Sequence, residues 1–462
     1  MASRRLLSTS LTAGSAAVPR IVGGSGASFE LEDGRRVVDA SNTAAPLGHG
    51  HPEIAEAVRR VAAAPVVNEG WTWPERELAA EELIGTAFAG EDWVGAVRFF
   101  VSAGEANDAV LALCQALTGR APLVTRARAY HGGVGLSREL TVQPQWHGGI
   151  SSPAGVATPP RLAEVRELEC PLGSRVSGKK GVALDGRWKT EANEALAGAA
   201  AVILDYSQGG TYHVPAFQDA VSQLASDLGV LWVADETVTG FGRVGGWFQF
   251  QRGSSRPDFV TLGKCMTAGG APGGAVVLSR RIVERLEGTS WQSYSTFRAH
   301  PAAMASLRAH LRVSKRDGIY RRATALDAVM LERCTRLAAA HPSVARADGR
   351  GLHWTVELHG PDWRTWRGEE TEPLASRVAA AALHAGALVA TSGEQTSLFI
   401  APPLVVRDSE LDILFCALDA GLEVADRELS RARPRSSGSA SGSASGSPSG
   451  SAEDGLVRDA GA

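Results

Sequence analysis

The chain has 462 residues, 44% hydrophobic and 21% charged, with a formal net charge of −3. That length suits two or more domains around a large core, and the near-balanced charge gives no electrostatic case for nucleic acid or an anionic membrane as a partner. No apolar run approaches the roughly 18–20 residues of a membrane span. The five cysteines are scattered without a CxxC pair, which fits buried, reduced thiols in a cytoplasmic protein better than a disulfide framework or a zinc site.

In chain order, residues 1–27 read as a flexible arm. Arg4 and Arg5 lead into a Ser-rich, weakly apolar stretch without the apolar segment or cleavage site of an export signal. His49 and His51 lack a third ligand nearby, so no metal site is expected. Val97–Val101 is an apolar run that passes through Ser102-Ala103-Gly104 into EANDAVLALCQALTG. There Val110, Leu113, Cys114 and Leu117 fall at helical spacing, and Gly119 stands where a C-terminal cap belongs. Apolar runs recur at 122–125, 200–204, 230–234, 259–262 and 275–278. A helix precedes the run at 230, with Phe217, Val221, Leu224 and Leu228 on one face. Continuous apolar strands separated by helices predict an α/β fold whose mostly parallel sheet is covered on both sides. Residues 301–430 read as a smaller α/β unit, with helices near 301–338 and 374–386 and a strand near 398–401. From 431 the chain is Ser/Gly-rich and aperiodic, a disordered tail.

The run at 230–234 ends in an acid pair, Asp235 and Glu236. A buried carboxylate without a partner is costly or shifts its pKa until it is neutral, so a cation is expected beyond Asp235. Ligands of such sheets bind at the carboxyl ends of the strands. Lys264 follows the run at 259–262, the turn 102–104 opens a helix, and Tyr130-His131-Gly132 follows the run at 122–125. A strand-end lysine pushed toward neutrality is a nucleophile for an aldehyde. A buried aspartate keeps a ring nitrogen protonated and makes the ring an electron sink. Backbone N–H groups at a helix start take a phosphate, and an aromatic stacks on a flat ring. Pyridoxal 5′-phosphate (PLP) satisfies all four.

ADETVTGFGR (234–243) followed by PDFVTLGK (257–264) resembles the signature of the class III PLP-dependent aminotransferases, the group of ornithine, acetylornithine and 4-aminobutyrate aminotransferases and glutamate-1-semialdehyde aminomutase. DGRRVVDA (33–40), LGHGHP (47–52), FFVSAGEAND (99–108), AYHGG (129–133), STFRAHPAA (295–303) and APPLVV (401–406) extend the resemblance over residues 28–425. It implies a fold type I PLP-dependent transferase. Residues 28–60 would associate with the small C-terminal domain (301–430), 61–300 would form the large PLP-binding domain, and a homodimer would share its active sites. By the same resemblance Lys264 forms the Schiff base, Asp235 pairs with the pyridine nitrogen, and Tyr130 and Val238 cover the two ring faces. Ala103 and Gly104 supply phosphate N–H groups after Ser102, and Thr296 reaches the phosphate from the neighbouring subunit. Glu105 and Glu236 support the site. His131, next to Tyr130, is expected in a structural or supporting role rather than in acid–base work, since a Schiff-base lysine carries the proton itself.

The chain also departs from the group. The phosphate turn is Ser-Ala-Gly rather than Ser-Gly-Thr or Ser-Gly-Ser, which removes a hydroxyl donor. Phe399 stands where ornithine-type members carry an arginine for the substrate α-carboxylate, and Gly210 where they carry that arginine's glutamate partner. An Arg–carboxylate fork is strong and geometry-specific, so its loss implies a substrate without a carboxylate beside the reacting carbon. Arg126, Arg128 and Arg298 are the candidates for anchoring a donor carboxylate. Trp71, Trp73 and Trp146 are candidate walls of a larger pocket. GEANDAVLALCQALTGRAPLVTRARAYHGG and VQPQWHGG resemble the aminotransferases of daptide-type ribosomal peptide (RiPP) pathways. The implied activity is transfer of an amino group from a small-molecule donor to a ketone or aldehyde, including a peptide-borne C-terminal ketone. The alternatives are an aminomutase or epimerase of the same group and a non-catalytic PLP-fold accessory protein.

Overall fold

The computed structural model describes residues 20–41, 43–68, 70–142, 150–152, 155–179, 181, 183–206, 215–359, 373–393 and 395–432. Gly210, Trp146, most of the expected arm and the tail from 433 lie outside them. In chain order the strands are β1 (Ile21–Ser25), β2 (Ser28–Leu31), β3 (Arg36–Ala40), β4 (Val94–Phe100), β5 (Leu123–Arg126), β6 (Ile150–Ser152), β7 (Gly155–Ala157), β8 (Val165–Leu168), β9 (Ala201–Asp205), β10 (Leu231–Asp235), β11 (Phe259–Leu262), β12 (Gly274–Ser279), β13 (Val344–Arg350), β14 (His353–Leu358), β15 (Ala387–Thr391) and β16 (Ser397–Ile400).

The large sheet runs β4-β12-β11-β10-β9-β5-β8. Its pairs from β11 through β10, β9 and β5 to β8 are parallel. The run at 275–278, expected among the parallel strands, is antiparallel to both of its neighbours. The reason is connectivity: β12 returns from β11 after eleven residues that hold only a 3-10 turn, too short for a helical crossover. β9, β10 and β11 are buried at every position, as strands covered on both faces must be.

The expected helix after residue 104 spans Ala103–Thr118 and buries Val110, Leu113 and Cys114. It ends at Gly119, whose φ of 68° is the left-handed cap that glycine adopts without strain. Phe217 and Val221 are buried in the helix Pro215–Asp227 as the periodicity predicts.

The second sheet runs β1-β2-β3-β15-β16-β14-β13 and joins the N-terminal strands to those near the C-terminus. β1 belongs to this sheet, so residues 21–27 are not part of a free arm. The helices expected near 301–338 are Pro301–Arg316 and Ile319–Ala340, parted by Gly318 in the left-handed region. The last helix, Asp408–Ala432, runs two residues into the expected tail. Four cysteines are buried, but Cys416 is exposed. No helix among the described residues is long and apolar enough to cross a membrane.

Arg243, which closes the turn after the acid pair, ties the two halves together. It is fully buried and donates from Nη1 to the carbonyls of Leu352 (3.2 Å) and Pro402.

Candidate active site

The carboxyl ends of β9, β10 and β11 lie side by side, with Asp205 opposite Asp235 and Thr261 opposite Asp235 in register. Above them opens a cavity of about 700 Å³. Its lining includes Ser102, Ala103, Gly104, Tyr130, Asp235, Val238 and Lys264. Seven residues picked from the sequence therefore converge on one space.

Lys264 enters from the turn after β11 with φ of 40°, a left-handed conformation that is strained for a lysine. Burial holds its pKa below the ordinary lysine value, and the charge of Asp235 only partly opposes this. The amine is thereby biased toward the neutral, nucleophilic form. Two glycines let the phosphate-type turn come close. A Cβ on Gly263 would stand 2.7 Å from Ala103 Cβ, and one on Gly274 would stand 2.5 Å from the Ser102 carbonyl carbon. Ser102 is the N-cap of the helix and accepts from Glu105 N at 3.2 Å. The N–H groups of Ala103 and Gly104 sit in the first turn, where no intrahelical acceptor exists, and both residues line the cavity.

The acid pair divides its roles. Asp235 Oδ2 accepts from His131 Nδ1 (2.9 Å) and Asn107 Nδ2 (2.9 Å), and Oδ1 accepts from Thr237 N (3.0 Å). Burial pushes its pKa up, but the His131 bond and charge and the Thr237 bond outweigh it and leave the carboxyl below the usual range. Asp235 thus stays ionised at the strand end. Glu236 turns the other way. Burial raises its pKa to about 7, against the lowering bonds from Thr239 Oγ1 (2.6 Å) and Phe250 N (2.7 Å). Of the acid pair, Asp235 lines the cavity and Glu236 is not among the lining residues. Tyr130 is half-buried at the wall, with its pKa raised by burial and then by Asp235.

The supporting network was only partly legible. His131 has the supporting role expected of it: it is buried, and its Nε2 lies 3.0 Å from the Thr125 hydroxyl. Asn107 was missed, although it donates to both Asp235 and the His131 carbonyl (2.8 Å). Its signal was present, since Asn107 heads the same helical stripe as Val110, Leu111 and Cys114, and a polar residue on a buried stripe asks for a partner.

Other expectations land elsewhere. Thr296 is exposed and is not among the residues lining the cavity. Trp71 is 73% exposed, and Trp73 packs on the core under the Arg76 guanidinium; neither lines the cavity. Phe399 is half-buried on β16, opposite Thr355, with its ring 5.9 Å from that of His353. His353 is itself held neutral, its pKa lowered to about 3 by burial and then by the charges of Arg243 and Lys264.

All three candidate arginines carry carboxylate partners. Arg126 is fully buried and donates to Asp205 Oδ2 at 2.8 Å. Arg298 pairs with Glu105 at 3.2 Å and lies 4.3 Å over the Phe100 ring. Arg128 meets Glu357 at 3.2 Å. No arginine is among the described residues that line the cavity.

A lysine of lowered pKa, an ionised aspartate, an aromatic side chain and a pair of helix-start N–H groups around one cavity match what an aldehyde, a ring nitrogen, a flat ring and a phosphate need. Comparison with known proteins agrees. Residues 14–422 match the family described as aminotransferase class-III. The chain is 32% identical to the acetylornithine aminotransferase of Mycobacterium tuberculosis (strain ATCC 25618 / H37Rv), over 88% of this chain and 92% of that one. It is 29% identical to the diaminobutyrate–2-oxoglutarate aminotransferase of Rhizobium meliloti (strain 1021), over 86% of each. Among solved structures it is similar to an S-selective transaminase from Arthrobacter sp., with a TM-score of 0.83, 25% identity and coverage of 92% of this chain and 97% of that one. The chain belongs to the class III aminotransferases.

Proposed function

We propose that this PLP-dependent aminotransferase takes its amino group from a small-molecule donor and delivers it to a ketone or aldehyde without a carboxylate next to the reacting carbon. The observation that carries this reading is the absence of any arginine among the described residues lining the cavity; the family resemblance adds Phe399 where ornithine-type members carry the clamping arginine, although Phe399 is not itself among the lining residues. An apolar clamp position favours an uncharged acceptor, since an acceptor carboxylate there would lose water without gaining a fork.

PLP, when bound, supplies an aldehyde for the amine and a ring that accepts electrons. The cavity fits it residue by residue. Lys264 Nζ would be the group for the aldehyde and, with its lowered pKa, the base that takes the proton from the donor carbon in the first half-reaction and the acid that gives one to the acceptor carbon in the second. Asp235 would hold the ring nitrogen in its protonated form. Tyr130 and Val238 would enclose the ring, and the N–H groups of Ala103 and Gly104 would receive the phosphate. Ser102 keeps that turn in place through its cap to Glu105. The partner subunit's Thr296 would complete the phosphate site in a homodimer with shared active sites. The exposed Trp71, Tyr294 and Phe297 are large apolar groups that such an interface would cover.

The acceptor is, in the finer reading, a peptide ending in a ketone, as in daptide-type biosynthesis within the cytoplasm. The test offers the PLP-loaded enzyme two synthetic peptides, one ending in a methyl ketone and one in an α-keto acid of the same sequence. Product amine is measured by mass spectrometry. Amination of the ketone alone supports the reading, and a marked preference for the keto acid refutes it.

A further inference from the structure

A second cavity, of about 260 Å³, opens at the amino ends of β10 and β11, the end of the large sheet opposite Lys264. We propose that it binds a phosphate dianion, free or carried as a small monoester, and that this site is separate from the one for the cofactor's phosphate.

The fold brings three arginines to the cavity. β12 runs antiparallel to β11, so Ser279 at its end comes back beside Asp258, whose carbonyl accepts from Ser279 N at 2.9 Å. Arg280 and Arg281 follow directly, and Arg256 stands two residues before Asp258; all three line the cavity. Asp258 is the only carboxylate among the described lining residues, and both of its oxygens are taken. Oδ2 accepts from Trp232 N (3.0 Å) and Oδ1 from Arg281 Nη2. Arg256 gives Nε to Glu91 (2.6 Å) and Nη1 to the carbonyls of Gly253 and Ser255 (2.9 Å each). Arg280 gives Nε to the Val94 carbonyl at 3.4 Å and has no carboxylate partner among the described residues. Its two terminal nitrogens and Arg256 Nη2 are therefore left for a ligand.

Trp232 supplies an independent observation. It is 2% exposed, and its Nε1 has no hydrogen-bond partner among the described residues. Its backbone N and carbonyl are both bonded to Asp258, so the indole is what it brings to the cavity wall. The residue packs in one core cluster with Ala225 and Val230, which line the same cavity. A buried indole N–H without an acceptor is costly, and an anion in the cavity satisfies it.

Arginine forks match phosphate geometry, and a cleft lined by one sign of charge concentrates the opposite ion. Three arginines against one carboxylate already in use suit a dianion better than a single carboxylate. The apolar wall of Trp93, Ala225, Val230 and Pro257 accommodates a short carbon chain on the phosphate. Trp232 stands three residues, about 10 Å, before Asp235 on β10. The two cavities share that strand but no lining residue.

The experiment uses the full-length PLP-loaded enzyme freed of excess cofactor, so that PLP's own phosphate occupies the active site. Inorganic phosphate and glycerol 3-phosphate are each titrated by calorimetry in chloride-containing buffer, and the cofactor's visible band is followed in parallel. A single saturable site per chain with Kd below about 1 mM and an unchanged band are expected. Arg280→Gln should weaken binding about 10- to 100-fold and Trp232→Phe about tenfold, each having lost a donor to a charged group. Arg187→Gln, at an exposed arginine outside both cavities, should leave binding unchanged. Tighter binding of glycerol 3-phosphate identifies a monoester as the ligand, and equal or tighter binding of inorganic phosphate identifies the free ion. The proposal is overturned by the absence of saturable binding, by equal weakening in Arg187→Gln, or by loss of the cofactor band in step with binding. Unweakened binding in Arg280→Gln, or in a folded Trp232→Phe protein, overturns it as well.

Discussion

Replacing Glu236 with glutamine tests the division of labour within the acid pair. Glu236 is 1% exposed, and burial lifts its pKa from an ordinary 4.5 to about 7. Between those values the folded chain holds a proton that the unfolded chain has released, so stability falls as pH rises through the window. The contribution is complete below about 4.5 and lost above about 7. The gap corresponds to about 3 kcal/mol, at about 1.4 kcal/mol per pH unit. Glutamine keeps the bonding, since Oε1 accepts from Phe250 N and Nε2 donates to the Thr239 hydroxyl, but it never ionises. Glu236→Gln should therefore match the wild type near pH 5 and exceed it at pH 8 by up to about 3 kcal/mol, on the order of 3 °C in Tm for a chain of this size. Thermal unfolding of both proteins from pH 5 to pH 8 reads this directly. A variant that tracks the wild type across the range would refute the claim that burial raises the Glu236 pKa.

Three further outcomes follow from the same geometry. His131→Phe removes one of the three donors to Asp235, and a bond to a charged group is worth roughly 1.5–3 kcal/mol. PLP affinity, titrated by cofactor absorbance, should fall about 10- to 100-fold, whereas unchanged affinity would mean Asp235 needs no help from His131. Gly263→Ala places a Cβ 2.7 Å from Ala103 Cβ and pushes the phosphate turn outward. Equilibrium dialysis should then find PLP held at least about tenfold more weakly, with the far-UV spectrum unaltered. Phe399→Arg restores a cation at the clamp position, so the enzyme should gain carboxylated acceptors relative to uncarboxylated ones. Unaltered acceptor selectivity in steady-state assays would count against Phe399 as a specificity determinant.

The sequence by itself determined the strand ends and what stands on them. Short apolar runs at 200–204, 230–234 and 259–262, set between turns and helices, read as buried strands, and the residues that follow them, Asp235 and Lys264, are polar groups that burial would penalise without a partner. Local spacing likewise placed the helix after Ser102 and its glycine cap, because helix period and left-handed φ are written into neighbouring residues. What only the tertiary structure decided are the long-range partnerships. Sequence spacing could not tell that Arg128 would meet Glu357, 229 residues away, rather than a substrate, or that Arg298 would be taken by Glu105. It did not give the direction of β12, which depends on the length of a connection rather than on the strand's own residues. Nor could it split the acid pair, since Asp235 and Glu236 are chemically alike and adjacent. Their difference comes from His131, Asn107 and Thr237 on one side and Thr239 and Phe250 on the other. A carboxylate's charge state is set by the donors and dielectric that folding assembles around it, and these come from distant parts of the chain.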